Sequence, residues 1–230
     1  MKTNLDKIKD VAISFLYLEP KYKDIKFPMF IAHPFFDSCF LMDYKTNSMY
    51  NIFEQTKIFE ENRKFIKNII QKECSVQIIF QMICKPYRLT FFKYIQEYLS
   101  DKDFAELLMS SWVETEFITD NPNVKMKEFI SWFEKANKIY LMDKDSFEQY
   151  NKLPEKFSIY RGVGNRRYKN GMSWTLNKDK AIWFSERFKY DDKHVYYGIV
   201  EKQDVLAYTN ERNEYEIIVN PKKVKNIGEI

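Results

Sequence analysis

Four side chains in the C-terminal third have types and spacings that could do chemistry. Arg161 closes the run FSIYRG, Ser173 stands in MSWT two residues before Thr175, and Glu214 and Glu216 frame Tyr215 in RNEYEIIVNP. On a strand, Glu214 and Glu216 would point to one side, because strand side chains alternate with period two. Two like charges on one face of a short apolar strand cost stability unless something uses them. A fixed carboxylate can stabilise a cation that develops during bond breaking, and a second can orient an attacking nucleophile or take its proton. An arginine offers a planar fork that fits phosphate oxygens or sugar hydroxyls. A serine can hold a carboxylate in one rotamer by hydrogen bonding. Each piece is commonplace alone, and an isolated Glu-x-Glu more often marks solvated edge-strand acids. Arg, then Ser-x-Thr, then Glu-x-Glu, each on a predicted strand between residues 161 and 216, is a far more specific pattern.

Other chemistries have less to work with. The chain has 230 residues, 45% of them hydrophobic, and reads as globular. Its two histidines, His33 and His194, are too few for most metal sites and weaken any Ser-His or Cys-His mechanism; both read as structural. Cys39, Cys74 and Cys84 are odd in number and lack CxxC spacing, so they read as free thiols in a reducing cytosol. Cys39, in HPFFDSC, has no histidine placed to activate it. A net charge of +4 with interspersed acids permits contact with phosphate or nucleic acid without demanding it. No run is long and apolar enough to suggest a leader or a membrane span, so a soluble, cytoplasmic protein is expected.

The elements that must position these residues change character along the chain. Residues 1–45 are aromatic and punctuated by Pro20, Pro28 and Pro34, which predicts short strands or turns packed by Phe30, Phe35, Phe36 and Phe40. Residues 50–72 read as a helix, 76–83 as either strand or buried helix, and 86–99 as a helix. Ser100 is a plausible cap for the next helix, and Asn121 with Pro122 marks another helix start. A short segment around Ser146–Asn151 ends at Pro154. All five glycines come after that, among β-like runs at 157–162, 171–176, 194–200, 204–208, 215–219 and 224–230. Asn177 can cap an intervening helix with Ala181, Phe184 and Phe188 on one side. Helices first and strands later predict an α+β fold with a mainly antiparallel sheet. The expected organisation is an N-terminal extension over 1–85 and a domain over 86–230, with helices at 86–150 and a β core at 155–230.

The segments SWVETEFITDNPNV, YRGV, GMSWTLNKDKAIWFSERF and ERNEYEIIVNP, spread over residues 86–230, resemble the Arg-Ser-Glu class of mono-ADP-ribosyltransferases. Many of that class are bacterial toxins; others are carried by phages or act in microbial conflict, in which case the host cytoplasm is the place of action. The resemblance implies a split antiparallel sheet that binds NAD as substrate, with no metal. It implies that Glu216 stabilises the ribosyl cation and holds the ribose 2′-hydroxyl, while Arg161 meets phosphate or ribose. Gly162 would hold the nicotinamide amide, with Ser173 and Thr175 completing the site. Relatives commonly have Ser-Thr-Ser where this chain has Ser-Trp-Thr. Glu214 would face the acceptor, and a glutamate there leans towards a guanidinium, that is, protein arginine. The stretch AYTNER puts Tyr208 and Arg212 forward as acceptor contacts. A base of RNA or DNA, or water in an NAD glycohydrolase, remains an alternative acceptor; a non-catalytic binding module of the same fold is a further one. An inhibitor (antitoxin) protein is a conceivable partner. Phe184 and its neighbours Trp183 and Phe188 could flank nicotinamide or adenine, although aromatics at helical spacing are usually core. Arg166, Arg167 and Lys169, in GNRRYKNG, could meet phosphates or form a solvated hairpin loop.

Overall fold

The computed structural model describes residues 2–23, 29–115, 122–165, 169–187 and 192–230. Backbone packing divides the chain into two compact units, Met1–Glu116 and Phe117–Ile230.

The first unit is mainly helical. It opens with α1 (Leu5–Leu16), where turns and strands were expected. Ile8, Ala12 and Leu16 recur every four residues and are fully buried, and the Asn4 side chain caps the helix start. The prolines that argued against a helix all come after it. Two hairpins follow: β1 (Lys21–Tyr22) with β2 (Ile31–Ala32), and β3 (Phe40–Met42) with β4 (Met49–Asn51). Of the four phenylalanines expected to pack this region, Phe36 is buried, whereas Phe30 and Phe40 are largely exposed. Then come α2 (Thr56–Lys72), α3 (Val76–Met82), α4 (Lys85–Ile95) and α5 (Asp101–Glu114). The segment at 76–83 is therefore a helix, capped by Ser75. Ser100 caps α5, as its position before the apolar stripe suggested. Helices α4 and α5, grouped with the C-terminal domain in the sequence reading, pack in this first unit against α1 and α3.

The second unit carries the sheet. Helix α6 (Met126–Lys135) starts later than expected; Asn121 lies outside the described residues and Pro122 sits in a bend. The actual start is set by Glu128, whose carboxylate accepts from the Lys125 N–H at 2.9 Å. After α7 (Lys138–Leu141) and α8 (Lys144–Lys152) come β5 (Lys156–Val163), β6 (Ser173–Thr175), α9 (Lys178–Glu186), β7 (His194–Glu201), β8 (Val205–Thr209), β9 (Glu216–Val219) and β10 (Lys225–Glu229). The six strands lie in the order β10-β7-β5-β6-β9-β8, and every neighbouring pair is antiparallel. The protein is thus α+β. The join between β5 and β6 is a single pair, Tyr160 opposite Thr175. Beyond Tyr160 the sheet parts, and β5 runs on through Arg161, Gly162 and Val163 with β7 alone beside it. Helix α9 covers β5, β6 and β7, while α6, α7 and α8 pack on β8.

Candidate active site

Arg161 stands one residue past that single pair, where the sheet opens. Its guanidinium donates to the main-chain carbonyl of Ser173 across the gap. It also lies against Gly171: a side chain there would collide with Nη2 and Cζ of Arg161 unless the guanidinium shifted. The residue keeps some exposed surface, yet its head group lies deep. Loss of water pulls the guanidinium down to about 10, and the charge of Glu216 acts against that fall. It remains a cation at neutral pH, held close enough to Glu216 for the two charges to interact.

Glu216 is the first residue of β9 and is 5% exposed. It stands between Thr175 on β6 and Thr209 on β8, and cross-strand partners share a face. A carboxylate shielded from water in this way needs a compensating charge, which Arg161 supplies. Ser173 lies two residues along β6 from Thr175 and opposite Ile218, so its side chain belongs to the face that carries Glu216. Among the described residues, Ser173 serves the site through its carbonyl on Arg161 rather than through a hydroxyl bond to Glu216.

Glu214 is not a strand residue, so strand alternation does not relate it to Glu216. The strand begins at Glu216, and both Asn213 and Tyr215 have left-handed backbones, with φ of 56° and 50°. For asparagine this conformation is common; for tyrosine it is strained, at a cost of order 1–3 kcal/mol. The turn is over-determined. Asn210 accepts from the Asn213 N–H through its carbonyl at 2.9 Å and from the Tyr215 N–H through Oδ1 at 2.9 Å. The Tyr215 carbonyl accepts from the Leu176 N–H at 3.1 Å. Thr175 Oγ1 donates to the Glu214 carbonyl at 2.7 Å and accepts from the Asn177 N–H at 3.1 Å. Thr175 therefore ties the Glu214 turn to the start of α9. The largely covered Glu214 carboxylate pairs with Nη2 of Arg212 at 3.2 Å. Tyr208, proposed from sequence as an acceptor contact on a loop, is instead a β8 residue that is 3% exposed; it is packed inside and offers no surface to a macromolecule.

Gly162 admits the helix above it. A side chain there would run into the Ala181 carbonyl and come within 2.8 Å of the Ser185 nitrogen, so α9 rests directly on the β5 backbone. Asn177 caps α9 by accepting from the N–H groups of Asp179 at 2.8 Å and Lys180 at 3.2 Å. The inward residues of this helix are Ala181 and Ser185. Phe184 is half-buried rather than core, and Trp183 is 50% exposed; their rings meet edge to face at 5.1 Å. Arg187 lies over the Trp183 ring at 5.6 Å. Phe188, Arg166 and Arg167 lie outside the described residues.

The remaining candidates have structural surroundings. His33 Nε2–H donates to the Leu18 carbonyl at 2.9 Å while Nδ1 accepts from the Phe35 N–H at 3.0 Å, and burial pulls its pKa down to about 4. His194 is bracketed by Asp192 and Glu229. Cys39 is buried. Among the described residues, no group of three His, Cys, Asp or Glu could hold a metal ion, and no helix is long and apolar enough to cross a membrane. Two contributors were missed in the sequence: Gly171, legible only as a glycine at a predicted strand start, and Tyr196, opposite Arg161 on β7.

No family model matches this chain, and no curated protein or solved structure matches it either.

Proposed function

We propose that the chain is an NAD-dependent mono-ADP-ribosyltransferase with protein arginine as its acceptor. One observation carries the reading: Arg161, Ser173 and Glu216 come from three adjacent strands and converge where the sheet parts, with the guanidinium within electrostatic reach of the carboxylate. The single-pair join between β5 and β6 supports this reading.

The chemistry follows from these groups. Nicotinamide leaves NAD as the bond to the anomeric carbon breaks, and positive charge builds on the ribose, as in glycoside cleavage. The fixed, water-poor carboxylate of Glu216 stabilises that cation. Arg161 neutralises phosphate charge or donates to ribose oxygens, and Gly162 offers its main chain, on the side of β5 that β6 has left, to the nicotinamide amide. The acceptor attacks the opposite face with inversion, and Glu214 takes its proton. The arginine assignment is supported by the contact Glu214 already makes, since its carboxylate holds a guanidinium from Arg212. The turn can thus accommodate that group.

The test is incubation with labelled NAD and a cell lysate, followed by protease or nuclease. Label released by protease alone, and absent with Glu216→Gln, is expected. Label released only by nuclease identifies a nucleic-acid acceptor, and free ADP-ribose without transfer a glycohydrolase. Silence equal to the Glu216→Gln control would contradict the enzyme reading.

A further inference from the structure

Arg161 has a cross-strand partner whose role lies outside the catalytic trio. Tyr196 stands directly opposite it on β7 and is 3% exposed. Its ring stacks against His194 at 5.9 Å between centroids, and the ammonium of Lys169 lies over it at 5.1 Å. Because opposed residues share a face, Tyr196 carries Lys169 to the side of β5 from which Arg161 departs. The connecting segment gives the same placement independently: Lys169 is two residues before Gly171, the residue against which the Arg161 guanidinium lies. Two cations are thereby gathered at the parting of the sheet, one from the strand and one from the connection between β5 and β6.

The described acids at this end of β7 and β10 are committed elsewhere. Asp192 and Glu229 both close on His194. Lys169 is half-buried, and its described contact is an aromatic face, with no ion pair to a described carboxylate. A ring positions an ammonium without neutralising it. A cation so held, next to a second cation with a desolvated head group, suits a ligand that brings two adjacent negative charges.

We infer that Lys169 is a positioning residue for the pyrophosphate of the dinucleotide, acting with Arg161, with Tyr196 as the platform that sets its reach. This rests on the reading of the site as one for NAD. Arg161 supplies a directional fork and Lys169 a point charge on a flexible stem, so the pair can follow the phosphates while the ribose stays fixed against Glu216.

The test uses the full chain and ADP-ribose, which carries the pyrophosphate and does not turn over. Dissociation constants are measured by calorimetry across a range of NaCl for the wild type, Lys169→Met and Lys169→Arg. Lys169→Met is expected to weaken binding about tenfold or more and to flatten the salt dependence, because one charge contact is gone. Lys169→Arg is expected to restore both. The inference is overturned if Lys169→Met binds like the wild type, or if it binds more weakly with unchanged salt dependence, since that marks a purely structural loss. A wild-type chain that binds ADP-ribose, paired with an unaffected Lys169→Met, sinks this inference alone. A wild-type chain that neither binds ADP-ribose nor releases nicotinamide sinks the proposed function and this inference with it.

Discussion

The guanidinium of Arg161 donates to the main-chain carbonyl of Ser173, across the opening between two strands joined by a single residue pair. One side chain thereby bridges the two halves of the sheet and carries the charge that offsets the covered Glu216. Its structural duty and its proposed chemical one fall on the same group, and substitutions should reveal both.

Arg161→Lys keeps a positive charge but loses the planar fork, so it cannot both hold the Ser173 carbonyl and present donors to a ligand. Nicotinamide release is expected to fall about 100-fold with a modest loss of stability. Arg161→Ala removes a charge that offsets the covered Glu216 and should cost about 3 kcal/mol or more. Urea denaturation monitored by fluorescence, alongside the NAD assay, measures both.

The two glycines at the site should differ in how badly they tolerate alanine. At Gly171 the clash is with the end of the Arg161 side chain, which can shift; the expected cost is about 1–3 kcal/mol, together with weakened ligand binding. At Gly162 the clash is with the main chain of α9, which cannot move without lifting the helix. Gly162→Ala should therefore unfold at a distinctly lower denaturant concentration than Gly171→Ala.

The proposed mechanism gives Glu214 a narrower role than Glu216. With Glu214→Gln, NAD cleavage to nicotinamide and ADP-ribose is expected to persist, while transfer to a soluble guanidine acceptor drops about 100-fold. Arg212→Ala removes the guanidinium that occupies Glu214 and is expected to change the rate of transfer without abolishing cleavage. Parallel assays of nicotinamide release and acceptor labelling separate these effects; equal loss of both activities in Glu214→Gln would refute the division of labour.

The histidines give opposite pH signatures. His194 has its pKa raised, first by its bond to Glu229 and then by Asp192. Its stabilisation is fully present below the unfolded value near 6.5 and is lost as pH rises through the folded value. His33 has its pKa lowered by burial from 6.5 to about 4. It is neutral in the fold, so its contribution is present above about 6.5 and is lost as pH falls towards 4, amounting to about 3 kcal/mol. Denaturation of His194→Gln and His33→Gln across pH 4 to 9 should remove the alkaline and the acidic loss, respectively.

Much of the second unit is legible in the sequence because its signals are local. Short β-like runs mark β5 to β10, with Gly164 after β5 and Gly171 before β6, and Asn177 announces α9 by a cap that operates within three residues. Ser100 does the same for α5. What escapes is set by longer-range or unusual geometry. The stripe of Ile8, Ala12 and Leu16 in α1 is a sparse helical signal, overshadowed by prolines that lie beyond it. The left-handed backbone at Tyr215 is invisible to period-two reasoning and is sustained by partners distant in sequence, such as Leu176 and Thr175. Tyr208 falls within the predicted run 204–208, and what the sequence does not show is that this end of β8 is buried. The order Arg161, Ser173, Glu216 could be read along the chain, but the contact between Arg161 and Gly171 depends on how β5 and β6 diverge, which no local pattern encodes.

In the proposed mechanism the Glu216 carboxylate stabilises a ribosyl cation beside Arg161. The decisive measurement is the steady-state rate of nicotinamide release from NAD by the wild type and by Glu216→Gln, with both proteins first shown to be folded. A wild-type rate above the uncatalysed one, lost about 1,000-fold or more on removing the charge, is the predicted result. Equal rates in the two folded proteins would contradict it.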